Sequence, residues 1–367
     1  MLVNIPINIP DIDEQEIREV TSVLSEKALT SASFEGGKRV RQFEDLLSNF
    51  VKSKFAIAVN SGTSALQASL YALDIKPNDE VLIPSFTFVA TANSVKSLGA
   101  KPVFVDILKD NFTMDPDDMK KKITKRTKAI IPVHLYGHVA YMEEIMEIAK
   151  KNHLEIIEDA SQSLGSKFKG KHSGTFSHLG CFSMYAAKVM TAGEGGAIVT
   201  DDKKLFEKLK QIRNHGLSKH HITSQFGLNL RLPEINAAIA KIQMKKLPTF
   251  LRQRKKNAQT LTDFLGTGSI HSDIILPRER KNEVMNWYLY TIAIKQRDKI
   301  MNKLNLKGIG AAVYYNPPIH QTPYYKTKKT LTTTEWASRH VISLPIHPKV
   351  KYSDLLKIIT RLAYLRH

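Results

Sequence analysis

Between residues 55 and 200 short, unbroken apolar runs alternate with stretches whose apolar positions recur at helical spacing. FAIAV (55–59) leads into the helix-like TSALQASLYAL, and EVLI (80–83) precedes a second helical stretch, FVATANSVKSL. PVFV (102–105), KAIIPV (128–133) and LEIIE (154–158) repeat the theme, with MEEIMEIAKKN (142–152) as the helix before the last of them. Strands apolar on both faces, alternating with helices, predict a largely parallel sheet covered on both sides. GCFSMY (180–185) and GAIVT (196–200) are expected to join the same sheet.

The pattern changes after residue 232. PEINAAIAKIQMKKL opens with a proline suited to a first helical turn, and Pro248 is expected to interrupt or kink the path before a charged helix runs on towards Phe264. A strand, WYLYTIAI (287–294), then a helix, RDKIMNKLNLKG, an extended piece, AAVYYN, and a last helix, SDLLKIITRLAYL, complete the chain. Strands and helices without strict alternation suggest a smaller α+β unit. The expected division is a large domain over residues 1–245 and a small one over 246–367, with the first 30 or so residues packing on the latter.

Composition narrows the classes. Of 367 residues 42% are hydrophobic and 24% charged, enough apolar material for a sizeable core. The single cysteine, Cys181, allows no intrachain disulfide. No apolar run approaches the roughly 18–20 residues that span a bilayer, and the opening MLVNIPINIP has no basic segment before an apolar core. A cytoplasmic protein without membrane association is the expectation. The formal charge of +19 fits nucleic acid, small anionic substrates or plain solvated helix faces. The lysines and arginines spread over several stretches, among them Lys245, Lys246, Arg252, Arg254, Lys255 and Lys256, with no zinc-finger spacing or RNA-binding aromatic motif. No nucleic-acid partner and no metal are expected.

Four segments carry candidate chemistry, each with a plainer reading beside it. Ser61-Gly62-Thr63-Ser64 follows a strand and opens a helix, where N–H groups and the helix dipole suit an anion; an ordinary N-cap gives the same residues. Asp159 stands at the carboxyl end of LEIIE, where ligands bind on open parallel sheets, though an acidic helix cap would look alike. Lys188 follows an apolar strand and precedes the glycine-rich Gly193-Glu194-Gly195-Gly196; poorly solvated, such a lysine becomes a nucleophile and base, but lone lysines near glycines are common. Gly227-Leu228-Asn229-Leu230-Arg231 offers an amide and a guanidinium for a phosphate.

Taken in order, SGTSAL, PSFTFVATANSV, GAKPVFVD, PVHLYG, EDASQSLGS, FSMYAAK, AGEGGAIVT, RNHG, GLNLR and SLPIHP resemble the DegT/DnrJ/EryC1/StrS family of sugar aminotransferases over essentially the whole chain. The resemblance implies an α/β protein of the pyridoxal-phosphate transferase fold type I, with a smaller α+β C-terminal domain. It implies pyridoxal 5′-phosphate as cofactor, carried covalently by Lys188, with Asp159 paired to its ring nitrogen and Gln162 near its phenolic oxygen. Gly62, Thr63 and Ser183 match the phosphate-holding positions, and Phe88 an aromatic that packs on the ring. Asn229 matches a residue reaching the cofactor of a neighbouring subunit, which implies a homodimer with shared sites; Arg231 lies beside it. Tyr315 and His320, in the segment 314–320, would border the sugar pocket, although a plain loop fits that segment as well.

The implied reaction moves an amino group from L-glutamate to a nucleotide-diphosphate keto-sugar, giving an amino sugar for a glycan or polysaccharide. A keto-cyclitol or aminoshikimate-type acceptor and a non-catalytic cofactor-binding regulator are the alternatives. Met184 stands where the family usually has an aromatic residue, Ala186-Ala187 where proline-threonine is frequent, and Val189 where asparagine commonly follows the lysine. These departures touch substrate shape more than cofactor chemistry. The family's dehydratase branch has histidine in place of the lysine, and Lys188 argues against that branch.

Overall fold

The computed structural model describes residues 4–220, 222–266 and 274–364. Two N-terminal helices, α1 (Glu14–Ser25) and α2 (Lys38–Val51), precede β1 (Phe55–Val59), α3 (Gly62–Ala72), β2 (Glu80–Pro84), α4 (Ala90–Ser97), β3 (Lys101–Val105), α5 (Pro116–Lys121) and β4 (Thr127–Ile130). Then come α6 (Met142–Lys151), β5 (Glu155–Asp159), the two-residue strands β6 (Lys167–Phe168) and β7 (Lys171–His172), β8 (Leu179–Ser183), β9 (Gly196–Thr200) and α7 (Lys203–Arg213). The remainder holds α8 (Glu234–Leu265), β10 (Ile274–Ile275), β11 (Glu283–Val284), β12 (Tyr290–Ile294), α9 (Arg297–Leu306), α10 (Thr332–His340), β13 (Val341–Leu344) and α11 (Tyr352–Tyr364). Leu365, which ends the last expected helix, lies outside the described residues.

The alternating part of the chain forms one seven-stranded sheet in the order β1-β9-β8-β5-β4-β2-β3. Its strands are parallel except β9, which runs antiparallel to both neighbours. The carboxyl ends of β1, β8, β5 and β2 therefore share one edge with the amino end of β9. The sheet packs its apolar faces against helices on both sides, with Ile57, Val81, Ile83, Ile157 and Ile198 in one core and Ala56, Ala58, Phe182 and Val199 in another. A separate core surrounds the three-stranded sheet β10-β12-β13 and includes Ile292, Leu304, Ile342, Leu344 and Ile358. Ile5 belongs to this second core, and Asn4 and Ile5 both donate to the Gly308 carbonyl at 2.9 Å. No helix among the described residues is long and apolar enough to cross a membrane.

Two expectations are corrected. Pro248 does not interrupt its segment; α8 runs as one helix of 32 residues with the proline inside. An internal proline costs a helix about 3 kcal/mol, and here α8 is flanked by α1, α2 and α11, whose packing outweighs that local penalty. The strand expected from Trp287 begins at Tyr290 instead, because Trp287 adopts a left-handed conformation (φ 52°) and turns the chain. Neither α1, α2, α7 nor α10 was among the expected elements.

The helix α2 starts at Gly37, which has no side chain to cap it. Its free N–H groups are met from a distant part of the chain: the buried Glu234 carboxylate accepts from Arg39 N (2.9 Å) and Val40 N (3.1 Å). Leaving these donors unmet inside the protein should be costly, so Glu234→Ala is expected to destabilise the fold by about 1–3 kcal/mol. Urea unfolding checks this; an unchanged midpoint would show that water or another group can replace the carboxylate.

Candidate active site

At the sheet's carboxyl edge β5 ends in Glu158 and Asp159, whose side chains point to opposite faces by the two-residue period of a strand. Glu158 faces inward, accepting from Gly174 N (2.7 Å) and Ser177 N (2.6 Å) and meeting His134 Nε2 at 2.9 Å. Asp159, 5% exposed, faces the other way. Its carboxylate accepts from the Thr91 hydroxyl (2.9 Å) and from Ser161 N (3.2 Å), both neutral donors. Its backbone is locked between Pro132 O and His134 N, so the side chain has little freedom.

Lys188 follows β8 in a loop closed by Met184 N to Gly195 O (2.8 Å) and Ala192 N to Met184 O (2.9 Å). The lysine is half-buried, and its Nζ lies 4.9 Å from the centre of the Tyr288 ring. Burial lowers its pKa to about 8, opposed by the Asp159 carboxylate, which favours the ammonium form. A lysine in this range is part neutral amine near neutral pH, the form needed to attack a carbonyl carbon or take a proton.

Gly62 and Thr63 form the first turn of α3, where Ser61 caps by accepting from Ser64 N (3.1 Å). A Cβ added at Gly62 would stand 2.8 Å from Ser183 Cβ and 3.3 Å from Ser161 Oγ, so glycine is what lets these pieces meet. At Gly196 an added Cβ would meet Ser61 O at 2.2 Å, which holds the start of β9 against the same turn. N–H groups at a helix start, with the hydroxyls of Ser183 and Ser161 adjoining, suit an anion.

Gln162 joins two aromatic residues: its Oε1 accepts from Tyr136 N (3.0 Å) and its Nε2 donates to the Tyr315 hydroxyl (3.0 Å). Burial pushes the Tyr315 phenol well above its usual range. Phe88 is 56% exposed, 6.0 Å from the Tyr315 ring centre and one helical turn before Thr91. Tyr315 thus adjoins both Gln162 and Phe88, and Thr91, three residues after Phe88, bonds Asp159.

The GLNLR segment runs beside the end of β1, with Arg231 opposite Val59 and Asn60 Nδ2 reaching Asn229 O at 3.5 Å. Asn229 is exposed. The Arg231 guanidinium is tied to Asn214 Oδ1 at 2.7 Å. His320 lies in the segment that follows Tyr315. It is 1% exposed, its Nδ1 meets Ser85 Oγ at 2.7 Å and its Nε2 meets Glu335 Oε1 at 3.3 Å. Its ring thereby anchors the segment after Tyr315 to the end of β2, and the residue also lines a cleft together with Gln321 and Lys326. Thr91, Ser161 and Tyr288 were missed by sequence reasoning; for the first two the signal was present, as Thr91 is i+3 from Phe88 and Ser161 two residues past Asp159.

A lysine of lowered basicity, a carboxylate that acts on its charge and a glycine-and-hydroxyl helix start share the carboxyl edge of the sheet, an arrangement that suits an aminotransferase. The family model for DegT/DnrJ/EryC1/StrS aminotransferases matches residues 10–363. The chain belongs to that family. It is 36% identical to the "Pleiotropic regulatory protein" of Geobacillus stearothermophilus, over 98% of this chain and 100% of that protein. It is 34% identical to dTDP-3-amino-3,4,6-trideoxy-alpha-D-glucose transaminase of Streptomyces venezuelae, over 94% of this chain and 92% of that protein. Helicobacter pylori PseC, an aminotransferase involved in the biosynthesis of pseudoaminic acid, superposes with a TM-score of 0.91 at 31% identity, covering 98% of both chains.

The sign of the Asp159 effect gives a test. Removing its charge by Asp159→Asn withdraws support for the ammonium, so the pKa of Lys188 should fall below about 8 in cofactor-free protein. Reductive methylation of Lys188 against pH, read by peptide mass spectrometry, measures it; an unchanged or raised value contradicts the coupling.

Proposed function

We propose that this aminotransferase uses pyridoxal phosphate to move an amino group from glutamate to the ketone of a nucleotide-linked sugar, and that it works as a homodimer with shared sites. The observation that carries the proposal is Lys188, its pKa lowered by burial to about 8, placed within electrostatic reach of the buried Asp159 carboxylate. When bound, the cofactor supplies an electron-withdrawing ring joined to the amino acid.

The residues present fit that group. A buried carboxylate with only neutral donors is complemented by a protonated ring nitrogen, and Asp159 would keep that nitrogen protonated. The N–H groups of Gly62 and Thr63 and the Ser183 hydroxyl would hold the phosphate, with Ser161 adjoining. Phe88 would cover one face of the ring, and Gln162, already fixed by Tyr136 and Tyr315, has a second Nε2 hydrogen to give to an oxygen. Lys188 would hold the cofactor through Nζ, and its free amine would take the proton from the donor's Cα. The same amine returns a proton to the acceptor carbon when the amino group is delivered.

The sugar-nucleotide end has support in charge. A cleft of about 400 Å³ is lined by His320, Gln321, Lys326, Lys328 and Lys329, with one acidic residue, Glu335; the three lysines suit a diphosphate. The S. venezuelae relative is named for a dTDP-linked amino sugar. Support for the dimer comes from Asn229, exposed beside the anion-binding turn, and from Ile222 (64% exposed) and Phe226 (58% exposed) in the preceding loop. A cofactor-binding regulator has in its favour the name of the G. stearothermophilus relative; a lysine of lowered basicity beside a buried carboxylate is needless for it.

The test is absorption of purified protein with pyridoxal phosphate. A visible band that Lys188→Ala lacks, and that excess glutamate bleaches, is expected. A band that ignores glutamate overturns the donor, and no band in the wild type overturns the cofactor.

A further inference from the structure

Arg254 is one of the basic residues in the charged half of α8, yet it is only 2% exposed. Its hydrogen-bond acceptors are all neutral: Nη1 donates to the carbonyl oxygens of Tyr288 (3.0 Å) and Trp287 (3.3 Å), and Nη2 to Asn8 Oδ1 (3.0 Å). Its buried Nε has no partner. Burial lowers its pKa to about 10. A buried cation with neutral acceptors is costly, which makes what it holds informative.

Both things it holds lead to Lys188. The Trp287 turn, with its left-handed φ of 52°, presents the Tyr288 ring 4.9 Å from Lys188 Nζ. Asn8, on the N-terminal segment, donates through Nδ2 to the carbonyl of Ala186 (3.4 Å), two residues before Lys188. Arg254 and Lys188 also line the same small cavity, together with Ile9, Thr191 and Gln243.

We infer that Arg254 is a positioning residue for Lys188, pinning the turn that carries the Tyr288 ring and, through Asn8, the backbone at Ala186. The inference rests on the reading of Lys188 as the reactive lysine. The ring has two opposed effects on the amine: its face attracts the ammonium, and its bulk excludes water. Burial is the larger influence on Lys188 and lowers its pKa, and the ring standing over the amine adds to that burial. Loosening the clamp admits water and raises that pKa. The charged and titratable groups near the amine are Asp159 on β5, Tyr185 in the lysine's own loop, Tyr288, and the adjoining Tyr314 and Tyr315. None of these is altered by changing Asn8; Arg254→Met also removes a positive charge that lines the same small cavity as Lys188, so the charge-neutral Asn8→Ala carries the test of the clamp.

The variants are Arg254→Met and Asn8→Ala, with Tyr288→Phe as a control that keeps the ring. In cofactor-free protein, the pH dependence of reductive methylation of Lys188 should move upward by about one unit in Arg254→Met and by less in Asn8→Ala. One unit cuts the neutral fraction at pH 8 from about a half to about a tenth. Tyr288→Phe should leave it in place. The pH midpoint of the visible band in cofactor-loaded protein should follow the same order. A folded Arg254→Met protein with wild-type midpoints overturns the inference, and a wild-type midpoint in Asn8→Ala overturns it as well. A shifted amine with a band that glutamate does not bleach upholds the positioning role and removes the glutamate donor instead.

Discussion

The site depends on a carboxylate kept out of water at the end of a strand. Asp159 is fixed from behind by its backbone bonds to the neighbouring strand segment and in front by Thr91 and Ser161. A charge in that position calls for a positive partner, and Lys188, whose own amine is weakened by burial, lies within its electrostatic reach. The two groups pull against each other: the carboxylate favours the ammonium, and burial disfavours it. A cation placed between them, such as a protonated ring nitrogen, relieves the first and frees the second.

Most of the fold serves to build that corner. The antiparallel β9 brings the glycine-rich loop back between β1 and β8, so that Gly196 lies against Ser61 and Gly62 against Ser183. The His134–Glu158 contact on the far face of β5 packs the strand from inside and leaves Asp159 alone on the near face. Helix α8 runs from the core of the large sheet into the core of the small one, with Ala237, Ala240 and Leu247 in the first and Ala258, Leu261 and Leu265 in the second. Arg254, between those two sets, ties the N-terminal segment and the Tyr288 turn to the same helix.

What could be read from the chain beforehand was local or periodic. The parallel strands follow from unbroken apolar runs, and GAIVT matches β9 residue for residue. Lys188, Asp159 and Gly62 stood out because each follows a strand at a short offset, whereas Gln162 was singled out only through the family resemblance. The helix α2 was overlooked although Val40, Phe43, Leu47 and Val51 recur at helical spacing and are all buried. The tie of His320 to Ser85 had no local signal, because the two lie 235 residues apart in the chain. Arg254 and Tyr288 had no signal at all: in a lysine-rich helix nothing local distinguishes the one cation that points inside. Pro248 shows the same limit, since local propensity forbids what packing permits.

The central claim is that Asp159 holds a proton on the cofactor's ring nitrogen. Nitrogen NMR of protein loaded with ¹⁵N-labelled pyridoxal phosphate measures this directly. The wild type should show the shift of a protonated pyridine nitrogen across neutral pH, and Asp159→Asn that of an unprotonated one. A wild-type nitrogen that is unprotonated at neutral pH, or one that stays protonated in Asp159→Asn, would contradict the account.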